Sequence, residues 1–182
     1  MGALLGASRV IDAVNSWVGR TVSWLVLVAI LVSAGNAILR KAFSLSSNAW
    51  LELQWYLFSA VFLLAAGYTL LRGEHVKVDI LYGRWSRRTQ IWIEIFGTLF
   101  FLLPFCLVAI LYSWPIVLDK FASGEMSGNA NGLIRWPVWA LIPAGFILLT
   151  LQGLSELIKR IAILSGRIPD IVPAHDHEAD PI

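Results

Sequence analysis

The sequence predicts an all-α integral membrane protein with four transmembrane helices, and three observations carry that prediction. First, its 182 residues are 58% hydrophobic and only 14% charged, whereas a soluble domain is about half apolar and about a quarter charged. Second, four apolar runs reach the roughly 20 residues that a helix needs to cross a bilayer. Third, nine tryptophans fall near the ends of those runs, as interfacial anchors do. A net charge of +2 gives no bulk-charge case for nucleic acid. The single cysteine, Cys106, excludes an intramolecular disulfide and reads as a small core hydrophobe.

The elements follow in order. The lead "SRVIDAVNSWVGR" places Val10, Ile11, Val14, Trp17 and Val18 at helical spacing. It predicts an amphipathic helix at the membrane surface that runs into the first span. The spans are expected at about 21–39, 51–71, 91–114 and 136–158. Each must be helical, because lipid offers backbone groups no partners. Pro104 and Pro143 are expected to kink the third and fourth spans or sit near their bends. Residues 1–166 form one membrane domain and 167–182 a flexible cytoplasmic tail. The His175, Asp176, His177, Glu178 cluster in that tail reads as disordered chain rather than a metal site.

Lysine and arginine set the orientation. Ten fall in the lead, the middle loop and the stretch after span four, against four on the other side (Arg40, Lys41, Lys120 and Arg135). Both termini are therefore expected in the cytoplasm.

The stretch "RGEHVKVDILYGRWSRR" concentrates charge between spans two and three. It predicts a second, interfacial amphipathic helix. Leu81, Tyr82 and Trp85 would grip the membrane, and Arg84, Arg87 and Arg88 the head groups. Its start, "HVKVDI", also alternates like a strand, so the local form is open. His75 and Asp79 read as surface groups, not as a relay or metal pair.

No ionisable group falls at the centre of a span, where a charge costs about 3 kcal/mol or more. Glu52, Gln54, Glu94, Gln152 and Glu156 read as helix-contact residues, with Lys159 and Arg160 spaced to pair with Glu156. Asp119, Glu125 and Arg135 lie in the longest outward segment, Pro115 to Arg135, and are docking candidates there. No nucleophile elbow, zinc-protease helix or phosphate loop is present. No enzyme activity, cofactor or metal is expected.

The ordered pieces "ELQWYLF", "GEHVKVDIL" and "GNANGLIRWP...LIPAGFILLTLQGLSELIKRI" resemble the small membrane subunit, DctQ-like, of tripartite ATP-independent periplasmic (TRAP) transporters. The resemblance covers roughly residues 17–164. It implies a small permease subunit in a bacterial inner membrane, scaffolding a large sodium-coupled membrane subunit. Its other partners would be a periplasmic substrate-binding protein and membrane lipids, and the cargo an organic acid. Two other classes share the span count. One is an autonomous homo-oligomeric transporter or channel with Glu52 or Glu94 in a shared pore. The other is a membrane anchor for a redox or signalling complex.

Overall fold

A computed structural model describes residues 2–44, 47–73 and 85–169. Among them, four helical stretches are long and apolar enough to cross a membrane: Gly2–Phe43, Asn48–Arg72, Arg87–Ser123 and Trp136–Leu164. The first is one helix, α1 (Gly2–Phe43). The second comprises α2 (Asn48–Leu64) and α3 (Ala66–Arg72). They meet at Ala65, whose carbonyl accepts both the Thr69 amide at 2.9 Å and the Thr69 hydroxyl at 3.1 Å. The third comprises α4 (Arg87–Gly97), a π-helical segment (Thr98–Leu102) and α5 (Leu103–Ser123). The fourth is α6 (Trp136–Leu164).

The predicted lead and first span are a single 42-residue helix, about 63 Å long at 1.5 Å per residue. That is twice the roughly 30 Å of a hydrocarbon core, so α1 extends well beyond it. Packing explains why the helix does not stop at residue 21. Of its six buried residues, Ser8, Asn15, Val22, Ala29 and Asn36 recur every seven positions, and Gly19 lies between two of them. Ile11, Val18, Leu25 and Val32 flank them half-buried. A strict seven-residue seam is the signature of helices wound gently around one another. This seam faces α2, α3 and α6.

The third span also outruns its expected end. Pro115 had marked the start of the outer segment, yet α5 continues through it to Ser123. Ile116, Val117, Leu118 and Phe121 maintain the apolar run beyond that proline. Gly124 closes α5 in the left-handed region (φ 62°), where a residue without a Cβ is least strained. Pro104 follows directly on the π segment, in which Leu103 N–H bonds to the Thr98 carbonyl. A proline has no N–H to give the carbonyl four residues back and clashes with it; the extra residue of the π turn relieves that conflict. Pro143 is buried within α6, which runs through it.

Helix α6 touches every other helical segment, whereas α5 packs chiefly on α6. The interior is rich in small and polar residues, with Ile91, Ile95 and Leu149 among them, while most large apolar side chains face outward; Phe62 is 80% exposed and Tyr112 75%. That inversion fits association in lipid, where small residues let backbones approach. Gly145 of α6 is such a contact: a Cβ there would lie 2.6 Å from the Leu63 carbonyl oxygen. The interfacial helix expected across Leu81, Tyr82 and Arg84, and the cluster His175–Glu178, lie outside the described residues.

Candidate functional site

Two polar clusters stand at opposite ends of the bundle. The loop end carries residues 124–135, between α5 and α6. One stripe of α2 reaches it with Asn48, Glu52 and Tyr56, spaced by four residues so that all share a face. Asn48 Nδ2 donates to the Ala130 carbonyl at 3.2 Å. Tyr56 Oη donates to the Ile134 carbonyl at 3.0 Å. Glu52, only 6% exposed, accepts three bonds between them. Ser127 Oγ and Asn129 Nδ2 (2.7 Å) reach one carboxylate oxygen, and the Leu133 amide (2.7 Å) reaches the other. A buried carboxylate is tolerated when its lone pairs are taken up this way.

The loop also braces itself. Met126 and Ile134 form an isolated antiparallel bridge, Ser127 N–H bonds to Leu133 O at 2.9 Å and Arg135 N–H to Glu125 O at 3.0 Å. The Glu125 carboxylate takes Lys120 on one oxygen and Arg135, at 2.9 Å, on the other. The Lys120 bond, reinforced by Arg135, holds the Glu125 carboxyl below the usual carboxylate range. Asp119 is exposed on α5. A cleft of about 440 Å³ opens beside the loop, lined by Glu52, Trp55, Tyr56, Arg135, Trp139 and Ile142 among others.

At the N-terminal end of the bundle, α1 meets α6 through side chains that sequence reasoning largely missed. Asp12 accepts from Gln152 Nε2 (2.9 Å), Ser155 Oγ (2.7 Å) and Lys159 Nζ (3.2 Å to its second oxygen). Ser8 and Ser155 share a 2.7 Å hydroxyl bond. Gln152 and Ser155 are fully buried. The expected Glu156 spacing is used: Lys159 pairs with one oxygen and Arg160 approaches the other at 3.7 Å. Arg160 Nε also reaches Glu94 of α4 at 2.8 Å, so these charges tie the first, third and fourth spans together.

The acceptors fix the direction of the amides. Gln152 turns its Nε2 toward Asp12, and toward Glu156 at 3.2 Å. Its Oε1 must then accept from Asn15 Nδ2, which it does at 3.0 Å. Asn15 Oδ1 is left buried without a hydrogen-bond partner and faces Gly67 of α3. A Cβ on Gly67 would lie 2.1 Å from that oxygen. The oxygen therefore lies along the Gly67 Cα–H, where a weak C–H···O contact is available.

The remaining sequence-named residues are placed separately. Glu52 faces the 124–135 loop rather than a neighbouring helix. Gln54 is half-buried on α2. Trp85 is 46% exposed. Arg87 and Arg88 begin α4 just after its cap, Ser86, whose Oγ accepts the Thr89 amide at 3.4 Å. Cations at a helix N-terminus oppose its dipole, so their position is not explained by helix stability. Among the described residues, no three His, Cys, Asp or Glu side chains are grouped to hold a metal ion.

Comparison with curated proteins and with solved structures finds no match. A family model described as tripartite ATP-independent periplasmic transporters, DctQ component, matches residues 28–162. That range takes in the Glu52 clamp, the 124–135 loop and the α6 side of the Asp12 cluster. This four-span bundle, with its charges gathered at the two ends, thus belongs to the DctQ component family of TRAP transporters, and is a transporter component rather than an enzyme.

Proposed function

We propose that this small permease subunit acts as a fixed scaffold in a bacterial inner membrane. It would hold a large membrane subunit that couples sodium entry to uptake of an organic acid, delivered by a periplasmic binding protein. The observation that supports the scaffold reading is the placement of charge. From Thr21 to Leu39, Leu53 to Leu71, Ile95 to Leu118 and Trp136 to Ser155 there is no ionisable acid or base of the Asp, Glu, Lys, Arg or His type. Four acids border those stretches: Glu52 is taken up by the 124–135 loop, Glu94 by Arg160 and Glu156 by Lys159, while Asp119 is exposed beyond the end of the third. A subunit with its own ion path is expected to carry an ionisable group or an unwound helix near the midplane; at Ala65 and at Thr98–Leu102 the backbone changes its turn but stays helical and hydrogen-bonded.

In this reading both termini are cytoplasmic, following the lysine and arginine bias, and the loop end faces the periplasm. Glu125 and Arg135 then act by shaping the docking loop as much as by touching a partner, with Asp119 beside them. Trp85, Arg87 and Arg88 would brace the inner leaflet together with Leu81, Tyr82 and Arg84.

The test is affinity purification of the chain from its native membrane in mild detergent, followed by reconstitution. The expected result is a much larger, many-span partner at equal stoichiometry, and sodium-dependent organic-acid uptake only when both subunits and the binding protein are present. A stable homo-oligomer that transports on its own would overturn the scaffold reading.

A further inference from the structure

The corner between α1 and α2 is a second exposed feature of the loop end. Arg40 and Lys41 occupy the last turns of α1 and are both exposed. Among the described residues, the ion pairs at this end are Glu125 with Lys120 and Arg135; no acid reaches Arg40 or Lys41. Phe43 follows them, 66% exposed, and Trp50 opens α2 at 41%. The corner is joined to the outer loop by the Asn48–Ala130 bond. The loop crown beside it, residues 128–131, is exposed and uncharged.

Charge at this end is therefore lopsided. Glu52 is buried and occupied. Glu125 spends its charge on two cations. Asp119 remains as the other accessible acid, against Arg40 and Lys41, while Lys120 and Arg135 share Glu125. The helix dipole accounts for a cation in the last turn. It does not call for two exposed cations with no acid of the described residues beside them, and Phe43 gives that pair an apolar edge. An arginine and an aromatic ring in one patch is the composition of an interface centre. Cations on the translocated side also run against the usual lysine and arginine bias.

We propose that Arg40, Lys41 and Phe43 form, with the loop crown, a docking surface for an acidic face of the periplasmic binding protein. This rests on the orientation and partner in the proposed function and adds the sign of the contact and the residues that steer it. Complementary charge acts mainly on the encounter rate and is screened by salt.

The experiment measures association and dissociation rates of the periplasmic binding protein on the two-subunit transporter in nanodiscs, at low and high ionic strength. Arg40→Glu with Lys41→Glu is compared with the milder Arg40→Gln with Lys41→Gln and with Ala130→Asp in the crown, where the side chain is exposed and only the carbonyl is bonded. At low salt the reversal should slow association roughly tenfold, with dissociation little changed, and the difference should vanish at high salt. The neutral pair should fall between. Unaltered association and salt dependence in the reversal, with weakened binding in the crown variant, would overturn this proposal alone. Unaltered binding in both would overturn the docking reading beneath it as well. An effect of the reversal that appears only in nanodiscs containing anionic lipid would assign the two cations to head groups and also overturn the proposal.

Discussion

At the loop end one carboxylate, Glu52, gathers three donors from a single loop. At the N-terminal end Asp12 gathers donors from Gln152, Ser155 and Lys159, all on one face of α6. The first arrangement fastens a loop to a helix; the second fastens a helix to a helix. Losing Glu52 should free a segment while the spans stay packed. Disturbing the Asp12 cluster should weaken the contact between α1 and α6. The bonds at the loop end shape one segment, as suits a surface, whereas those at the other end join separate spans.

The strongest way to break that contrast is to crowd the N-terminal cluster. Gly67→Ala would place a Cβ 2.1 Å from Asn15 Oδ1 and 3.2 Å from the Leu148 carbonyl. Asn15 cannot simply turn over, because Asp12 and Glu156 dictate the Gln152 amide and hence its own. Overpacking of this kind costs about 1–3 kcal/mol, read by equilibrium unfolding in mixed micelles. In an Asn15→Ala background the same substitution should cost clearly less, since residues in contact do not add. Equal costs in both backgrounds would show that the strain lies at Leu148 instead.

A smaller and more local effect is expected at the other end. Glu52→Gln preserves shape but swaps one acceptor oxygen for a donor. With its remaining oxygen toward Ser127 and Asn129, its NH₂ would face the Leu133 N–H, two donors opposed. Hydrogen exchange at the Leu133 amide should rise roughly tenfold, while amides in α1 and α6 keep their protection. Exchange rising across the spans as well would merge the two ends into one cooperative unit and dissolve the comparison.

How much of this was legible in sequence differs between the two ends for a physical reason. The four spans follow from apolar length alone, and they stand in the structure. The α1 seam does not, because periodicity was sought in large apolar residues. Of the residues at helical spacing, Ile11 and Val18 do flank the seam half-buried, but Val10, Val14 and Trp17 are 64%, 43% and 69% exposed, while the buried positions are Ser8, Asn15, Ala29 and Asn36 beside Val22. In lipid the greasy face looks outward, so the informative heptad is written in small and polar residues. Glu52 was visible as a charge near a span end, but its partners lie 75 to 81 residues away, and no local pattern announces a loop that folds back. Glu156 with Lys159 and Arg160 was readable because those partners sit within one helical turn. Pro115 misled: it reads as a stop, yet α5 continues through it.

The mildest perturbation needs no substitution and sharpens the contrast within the loop end itself. Glu125 is held below the usual carboxylate range chiefly by Lys120 and then by Arg135. A carboxyl whose folded pKa is depressed contributes order that is complete above its unfolded pKa, and that is lost as pH falls through the lower folded value. Acidification should therefore loosen the loop progressively, beginning at the ordinary carboxylate pKa and finishing below the lower folded value. The Arg135 amide, bonded to the Glu125 carbonyl at 3.0 Å, reports the change through its exchange rate after correction for intrinsic pH dependence. Because the triad is partly exposed, with Arg135 at 44%, salt should weaken the effect. Glu125→Gln should flatten the profile, with the Glu52 bonds still holding Leu133. A profile that persists in that variant would move the titration from the surface triad to the Glu52 clamp, making one carboxylate answerable for both the shape and the acid response of the loop.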